Sequence, residues 1–451
     1  MRATPKRFQM VVLIALVMAH AGPFAGAAAE LPPASILRVP VSRIRHSDPE
    51  PMTFDLREGI DPDQAAVIAV FLNPALRATR DRRGLATAQL IAAGVLPNPQ
   101  VSYTREWVTG GNTVDTVPTA YSFSAGWEVT SLLPLLPKHS AASANARSVD
   151  LDIAWEEWQV AENARLAVYR VIAVEAQLAS AREGDRALAQ NVTTLKKAVA
   201  AHEKTVLDLA AAEATSQDAR ANTLALEQEF DKQRLFLKKA LGLLPDAKVR
   251  IRSDVRLPSR LDVPSEEEFS SGIETRRLDL LALQQGYQSQ EATVRAAILT
   301  AFPKISLGVT KASDTSDVHT TGLSITVDVP LFDRNQGVIA TERSTRQKLL
   351  DEYNNRIFEA RSDIAVALAD IRSLNRQIAA AEAAVPALER LVATAQTAAE
   401  QRNVDVLAYY DARNDLIQKR VQIFKLKQQL VEARAAVEIA SGRFLQTKTT
   451  R

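Results

Sequence analysis

Apolar residues recur along this chain in two long helical registers that repeat one another about 200 positions apart. Leu188, Val192, Leu195 and Val199 are spaced four, three and four residues apart, and Leu388, Val392, Ala395 and Ala399 each fall 200 positions later. The register continues through Val206, Leu207 and Leu209, matched by Val406, Leu407 and Tyr409. A break separates the two parts of each copy, at His202-Glu203-Lys204-Thr205 and at Arg402-Asn403-Val404-Asp405. Four-three spacing buries one stripe of a helix against a partner, so each copy reads as a long helical hairpin. The first hairpin is predicted over 140–201 and 206–241, with a first helix roughly 90 Å long at the usual rise. The second runs to about Gln401 and returns from Asp405 to Gly442, with Pro386 inside it as the expected place for a kink.

A shorter period precedes each hairpin. Val101, Tyr103, Arg105 and Trp107 alternate with Ser102, Thr104, Glu106 and Val108. Tyr121, Phe123, Ala125, Trp127 and Val129 alternate with Ser122, Ser124, Gly126, Glu128 and Thr130. In the second copy Ile305, Leu307 and Val309, then Leu323, Ile325, Val327 and Val329, alternate with small polar residues. Period two predicts a strand pair in each copy. An aromatic-apolar face opposite a small-polar face suits a wall between lipid and water, or a soluble hairpin packed on one side. Tyr103, Trp107, Tyr121, Phe123 and Trp127 are the candidate membrane-interface aromatics. A helix over Pro62–Gly94, capped by Asp61, precedes the first strand pair, and one from Glu274 to Ala301 precedes the second.

The first 29 residues change the setting. Arg2, Lys6 and Arg7, then an apolar run from Met10 to Ala21, then Ala27-Ala28-Ala29, have the layout of a secretory signal peptide. Its removal takes the formal net charge from +2 to −1, against any broad surface for nucleic acid. The chain has no cysteine, so export brings no disulfide framework and no lipid-bearing cysteine. No apolar stretch after the signal is long enough for a membrane helix, whereas a barrel strand needs only about 10 residues. The organisation is then signal peptide 1–29, extended segment 30–60, first repeat 61–244, connector 245–268, second repeat 269–445 and tail 446–451. The fold class is mainly α, two strand pairs each feeding a very long helical hairpin.

Candidate chemistry is sparse. His46, His139, His202 and His319 are scattered, without the spacing of a metal site. Neither a phosphate loop nor a nucleophile elbow occurs, so no enzyme activity and no cofactor are expected, and a partner must supply any energy. Glu156-Glu157 and Glu266-Glu267-Glu268 read as a solvated face and a helix start.

Asn73-Pro74-Ala75-Leu76, Ala93-Gly94-Val95-Leu96-Pro97-Asn98-Pro99 and Pro330-Leu331-Phe332-Asp333-Arg334-Asn335-Gln336-Gly337 resemble motifs of the TolC family of outer-membrane efflux proteins. Arg276-Arg277-Leu278-Asp279-Leu280 is similar to the family's Arg-Arg-Pro-Asp-Leu, with leucine in place of proline. The likeness covers nearly the whole mature chain, and two of the runs are most like the heavy-metal (CzcC-like) branch. It implies a homotrimer with a shared twelve-stranded membrane β-barrel continuous with a periplasmic α-helical barrel, anchored in outer-membrane lipid of a Gram-negative cell. It also implies a periplasmic adaptor (membrane fusion) protein and an inner-membrane RND transporter as partners, and heavy-metal cations as cargo. Organic solutes or a secreted polypeptide are the alternatives within the fold, and a periplasmic coiled-coil adaptor lies outside it.

By the same resemblance Asp411 matches an acidic residue of the periplasmic gate, while the acid expected one turn earlier is Ala408. Arg402 and Arg413 are candidates to hold that gate closed through ion pairs. Glu203, Lys204, Thr205, Asn403, Val404 and Asp405 are the candidate adaptor-contact tips, and the glycine usual near such tips is missing from both.

Overall fold

The duplication is literal in three dimensions. The structure, a computed structural model, describes residues 59–110, 119–263, 265–400 and 406–445. The expected signal peptide, most of the N-terminal segment and the tail lie outside the described residues. In chain order the elements are α1 (Pro62–Leu72), α2 (Pro74–Ala93), β1 (Gln100–Trp107), β2 (Thr119–Glu128), α3 (Leu135–Ala200) and α4 (Val206–Ala240). There follow α5 (Glu266–Ser270), α6 (Ile273–Arg276), α7 (Leu278–Leu299), β3 (Lys304–Ser313), β4 (His319–Asp328), α8 (Gln336–Glu400) and α9 (Val406–Ser441). β2 and β4, the ends of α3 and α8, and the starts of α4 and α9 are each 200 positions apart.

The helix expected over Pro62–Gly94 is two helices. Asp61 caps the first as expected, exchanging hydrogen bonds with Gln64 in a capping box. Asn73 then takes an extended backbone and ends α1, and its side chain accepts from Ala75 N at 2.9 Å to start α2. Pro74 sits at the first helical position, where its missing N–H costs nothing. The helix expected from Glu274 to Ala301 breaks at the equivalent place. Arg277 has nearly the backbone of Asn73 (φ −73°, ψ 120° against −64°, 118°), and Leu278 stands where the first repeat has proline.

Both return helices stop on glycine. Gly242 and Gly442, again 200 apart, have φ of 70° and 65°. Gly242 N donates to Lys239 O and Leu243 N to Lys238 O, a Schellman closure that requires a left-handed residue. A Cβ on Gly242 would also lie 2.5 Å from Leu72 O, so glycine is needed there twice over.

Along the second hairpin Ile364, Leu368, Ile371 and Ile378 meet Leu426, Leu430 and Val437 in one buried seam, the heptad spacing made physical. Burying each such side chain stabilises by about 1.5–3 kcal/mol. α3 packs on both α4 and α9, joining the hairpins side by side. They approach so closely at Gly184 that a Cβ there would lie 2.4 Å from Ile417 Cδ1. α8 continues on both sides of Pro386. No described helix is long and apolar enough to cross a membrane.

Candidate functional site: the sheet and the hairpin tips

The two strand pairs join into one antiparallel sheet in the order β1-β2-β3-β4. Its register gathers the large apolar side chains onto one face. Val101, Ala125, Val309 and Leu323 form one cross-strand row, and Trp127, Leu307 and Ile325 the row nearer the helices. Tyr103 and Phe123 lie one row toward the loops, Tyr121 the row after, and Trp107 last. All five candidate interface aromatics therefore share this face. Its aliphatic residues are largely bare, Leu323 being 89% exposed.

The opposite face is small and polar, with Ser102, Ser124, Gly308 and Ser324 on it. The hydroxyls of Ser102 and Ser124 are 2.7 Å apart, and a Cβ on Gly308 would lie 2.6 Å from Ser324 Oγ. β1 and β4 are the edges of the sheet, with exposed residues along their whole length. Trp127 Nε1 donates to Pro97 O at 2.8 Å, which ties the last turn before β1 to the base of β2.

At the far end the hairpins meet. Leu188, Val192, Leu195 and Ala212 of the first pack with Ala395, Tyr409 and Tyr410 of the second. Burial, with the neighbouring Tyr409 phenol, pushes the Tyr410 hydroxyl up to about 12. Arg413 Nη1 donates to Tyr409 Oη at 2.6 Å, and its guanidinium lies over the same ring. Within the protomer Arg413 is thus engaged by Tyr409, and Asp411 stays exposed. Arg402, Asn403, Val404 and Asp405 lie outside the described residues.

The first tip is fully described. His202, not glycine, takes the left-handed position at φ 57°, with His202 N donating to Val199 O and Glu203 N to Ala198 O. Glu203 and Lys204 form the turn, and Thr205 caps α4 in a capping box with Asp208. Hydrogen bonds from Thr205 hold the Asp208 carboxyl below its usual range. Val206 and Leu207 are 72% and 78% exposed, although the sequence register counts them with the buried stripe. Nothing in the local pattern distinguishes them from core, because their exposure comes from the hairpin ending there.

The sequence motifs serve packing. Arg277 and Asp279 form a buried ion pair at the start of α7, and the Arg277 guanidinium lies 4.9 Å over Trp155 of α3. Asn335 Nδ2 donates to Ala297 O at 2.8 Å, fastening the turn after β4 to the end of α7. A cavity of about 480 Å³, lined by both charged and apolar side chains, lies between α1, α3 and α9. Glu162, 2% exposed, pairs there with Arg165, and Glu438 accepts from Arg434 Nε and from Leu445 N. Burial raises the Glu162 carboxyl to about 7, with Arg165 opposing and Glu438 reinforcing the shift. Among the described residues no group of three metal-binding side chains converges.

A sheet apolar on one side, continuous with two very long helical hairpins, is a fold this chain shares with solved outer-membrane channels. The solved structure of CusC has this fold, with TM-score 0.71 and 21% identity over 87% of this chain and 95% of that one. So does the Campylobacter jejuni CmeC outer membrane channel, with TM-score 0.72 and 15% identity over 90% and 92%. Residues 270–443, within the second repeat, match the outer membrane efflux protein family. The cation efflux system protein CusC of Escherichia coli O6:H1 is 27% identical over 268 residues, 56% of this chain. The chain spans about half the length of that curated relative, 56%.

Proposed function

We propose that this protein is the outer-membrane exit duct of a three-part efflux system, conducting its cargo passively from the periplasm to the outside. Three copies each contribute four strands to a twelve-stranded barrel, and their hairpins enclose an aqueous tunnel. The observation that carries this reading is the sheet: four strands cannot close, and open edges are not tolerated in lipid. With the apolar face outward, the serine- and glycine-rich face lines water and the aromatics meet the lipid interface.

Metal cations are the cargo best supported, by the likeness to a protein named for cation efflux and by the heavy-metal-type motifs. Asp411, with Arg413 engaged elsewhere, would place three carboxylates around the axis and favour cations. Arg402 belongs to the same gate. A periplasmic adaptor meets Glu203, Lys204 and Thr205 together with Asn403, Val404 and Asp405, and Val206 and Leu207 add an apolar contact. An inner-membrane RND transporter supplies the drive, and the duct performs no bond chemistry.

Purified protein should run as a heat-sensitive trimer in detergent and form conducting pores in planar bilayers. Its deletion should sensitise cells to metal salts, and Asp411→Ala should reduce the cation preference of the pore. A water-soluble monomer that forms no pore would sink the proposal.

A further inference from the structure

The apolar face of the sheet changes character at one level on all four strands. Nearer the helices its rows are aliphatic, capped by Trp127 at the base: Trp127, Leu307 and Ile325, then Val101, Ala125, Val309 and Leu323. The next row is Tyr103, Phe123, Lys311 and Thr321, and the one after is Arg105, Tyr121, Ser313 and His319. Trp107 and Thr119 complete the loop end. Within the strands this face carries two permanent cations, Arg105 and Lys311, and no carboxylate. Both are exposed, and neither pairs with an acid among the described residues. The Arg105 guanidinium instead lies 5.5 Å over the Trp107 ring, which steers it along the sheet surface.

A cation on a lipid-facing strand is costly in hydrocarbon and tolerated where headgroups begin. Two unpaired cations among aromatics, in adjacent rows, mark that boundary. They sit at the end of the sheet away from the helices. If the helices are periplasmic, as the proposed function requires, this is the outer leaflet. We propose that Arg105 and Lys311, with Tyr103, Tyr121 and Trp107, bind the phosphate groups of the phosphorylated glycolipid in that leaflet. Strand spacing puts the two backbone positions about 12 Å apart, a gap that a disaccharide headgroup with a phosphate at each end can bridge. Charge-assisted bonds to phosphate, with aromatic rings against the sugar and upper acyl chains, suit that lipid better than a zwitterionic one. This inference rests on the outer-membrane channel reading and adds a ligand class to it.

The test uses the full-length trimer in vesicles of phosphatidylcholine doped with bisphosphorylated lipid A or with its dephosphorylated form. Lipid retained through purification is counted by native mass spectrometry, and conductance in the same vesicles reports insertion. Wild type should retain the bisphosphorylated lipid about tenfold better than the Arg105→Gln, Lys311→Gln double variant. It should show no such preference for the dephosphorylated form. The swap Arg105→Lys with Lys311→Arg should keep most of the retention, and each single glutamine variant should lose part of it. Equal retention by a conducting double variant overturns the proposal, as does retention indifferent to phosphate. Displacement by millimolar inorganic phosphate would mean a free-anion site and also overturns it. A wild type that neither inserts nor conducts defeats the channel reading, and this inference with it. Conductance without phosphate-dependent retention defeats this inference alone.

Discussion

Arg277 and Asp279 face each other inside the protein through two hydrogen bonds, Nε to Oδ1 at 2.9 Å and Nη2 to Oδ2 at 2.6 Å. The pair is a junction. Arg277 Nη1 donates to Ala440 O at the end of α9, and Arg356 of α8 approaches Asp279 at 3.3 Å. Asp279→Ala leaves a buried guanidinium without its counter-charge and should cost about 3–5 kcal/mol. Arg277→Met combined with Asp279→Leu should recover much of that loss, because the desolvation of both charges disappears with them. Urea unfolding of the detergent-solubilised protein checks both.

Leu278 stands where the first repeat has Pro74, and the residue before it already has the extended backbone that proline demands. Leu278→Pro should therefore raise stability by about 0.5 kcal/mol through a stiffer unfolded chain. Leu281→Pro, three residues on, removes the bond from Leu281 N to Arg277 O and should cost about 3 kcal/mol. Opposite signs at positions one turn apart are the expected thermal-denaturation result.

His202 holds a left-handed backbone that glycine adopts without strain. His202→Gly should stabilise the first tip by about 0.5–1 kcal/mol. The gain should be visible as slower amide exchange at Glu203 and at the end of α3, with little change near the sheet.

Glu162 gives a pH dependence whose sign is fixed by burial. Its folded carboxyl titrates at about 7 against an ordinary 4.5, so the folded state holds a proton that the unfolded state releases. Stability from this group is greatest below 4.5, falls as pH rises toward 7, and levels off above that, by up to about 3 kcal/mol. Glu162→Gln should flatten that part of the stability–pH curve and be more stable than wild type near neutrality. An unchanged curve would show that Arg165 keeps Glu162 charged throughout.

Much of the architecture was written in period alone. Alternation at Tyr121–Val129 and Leu323–Val329 marks strands, and four-three spacing around Leu188 and Leu388 marks helices, because each periodicity puts apolar atoms on one side of one element. The breaks at Asn73 and Arg277 were less visible, since the apolar pattern runs across them and only capping geometry separates the helices. The tip site was half legible: Glu203, Lys204 and Thr205 stood out as a polar break, while Val206 and Leu207 were indistinguishable from core. The Arg413–Tyr409 bond was not foreseen, because an arginine one turn from a tyrosine and two residues from an aspartate can serve either.

By itself the sequence determined the two repeats, their strand pairs and hairpins, and which side of each strand is apolar, all of which follow from short-range spacing. The long-range fold alone sets β2 beside β3, which merges two pairs into one wall and brings Arg105 within one row of Lys311. It alone also joined Arg277 to Ala440 and Glu162 to the region of Glu438. Those pairings depend on which surfaces meet after the chain has folded back over hundreds of residues, and no local pattern encodes that distance.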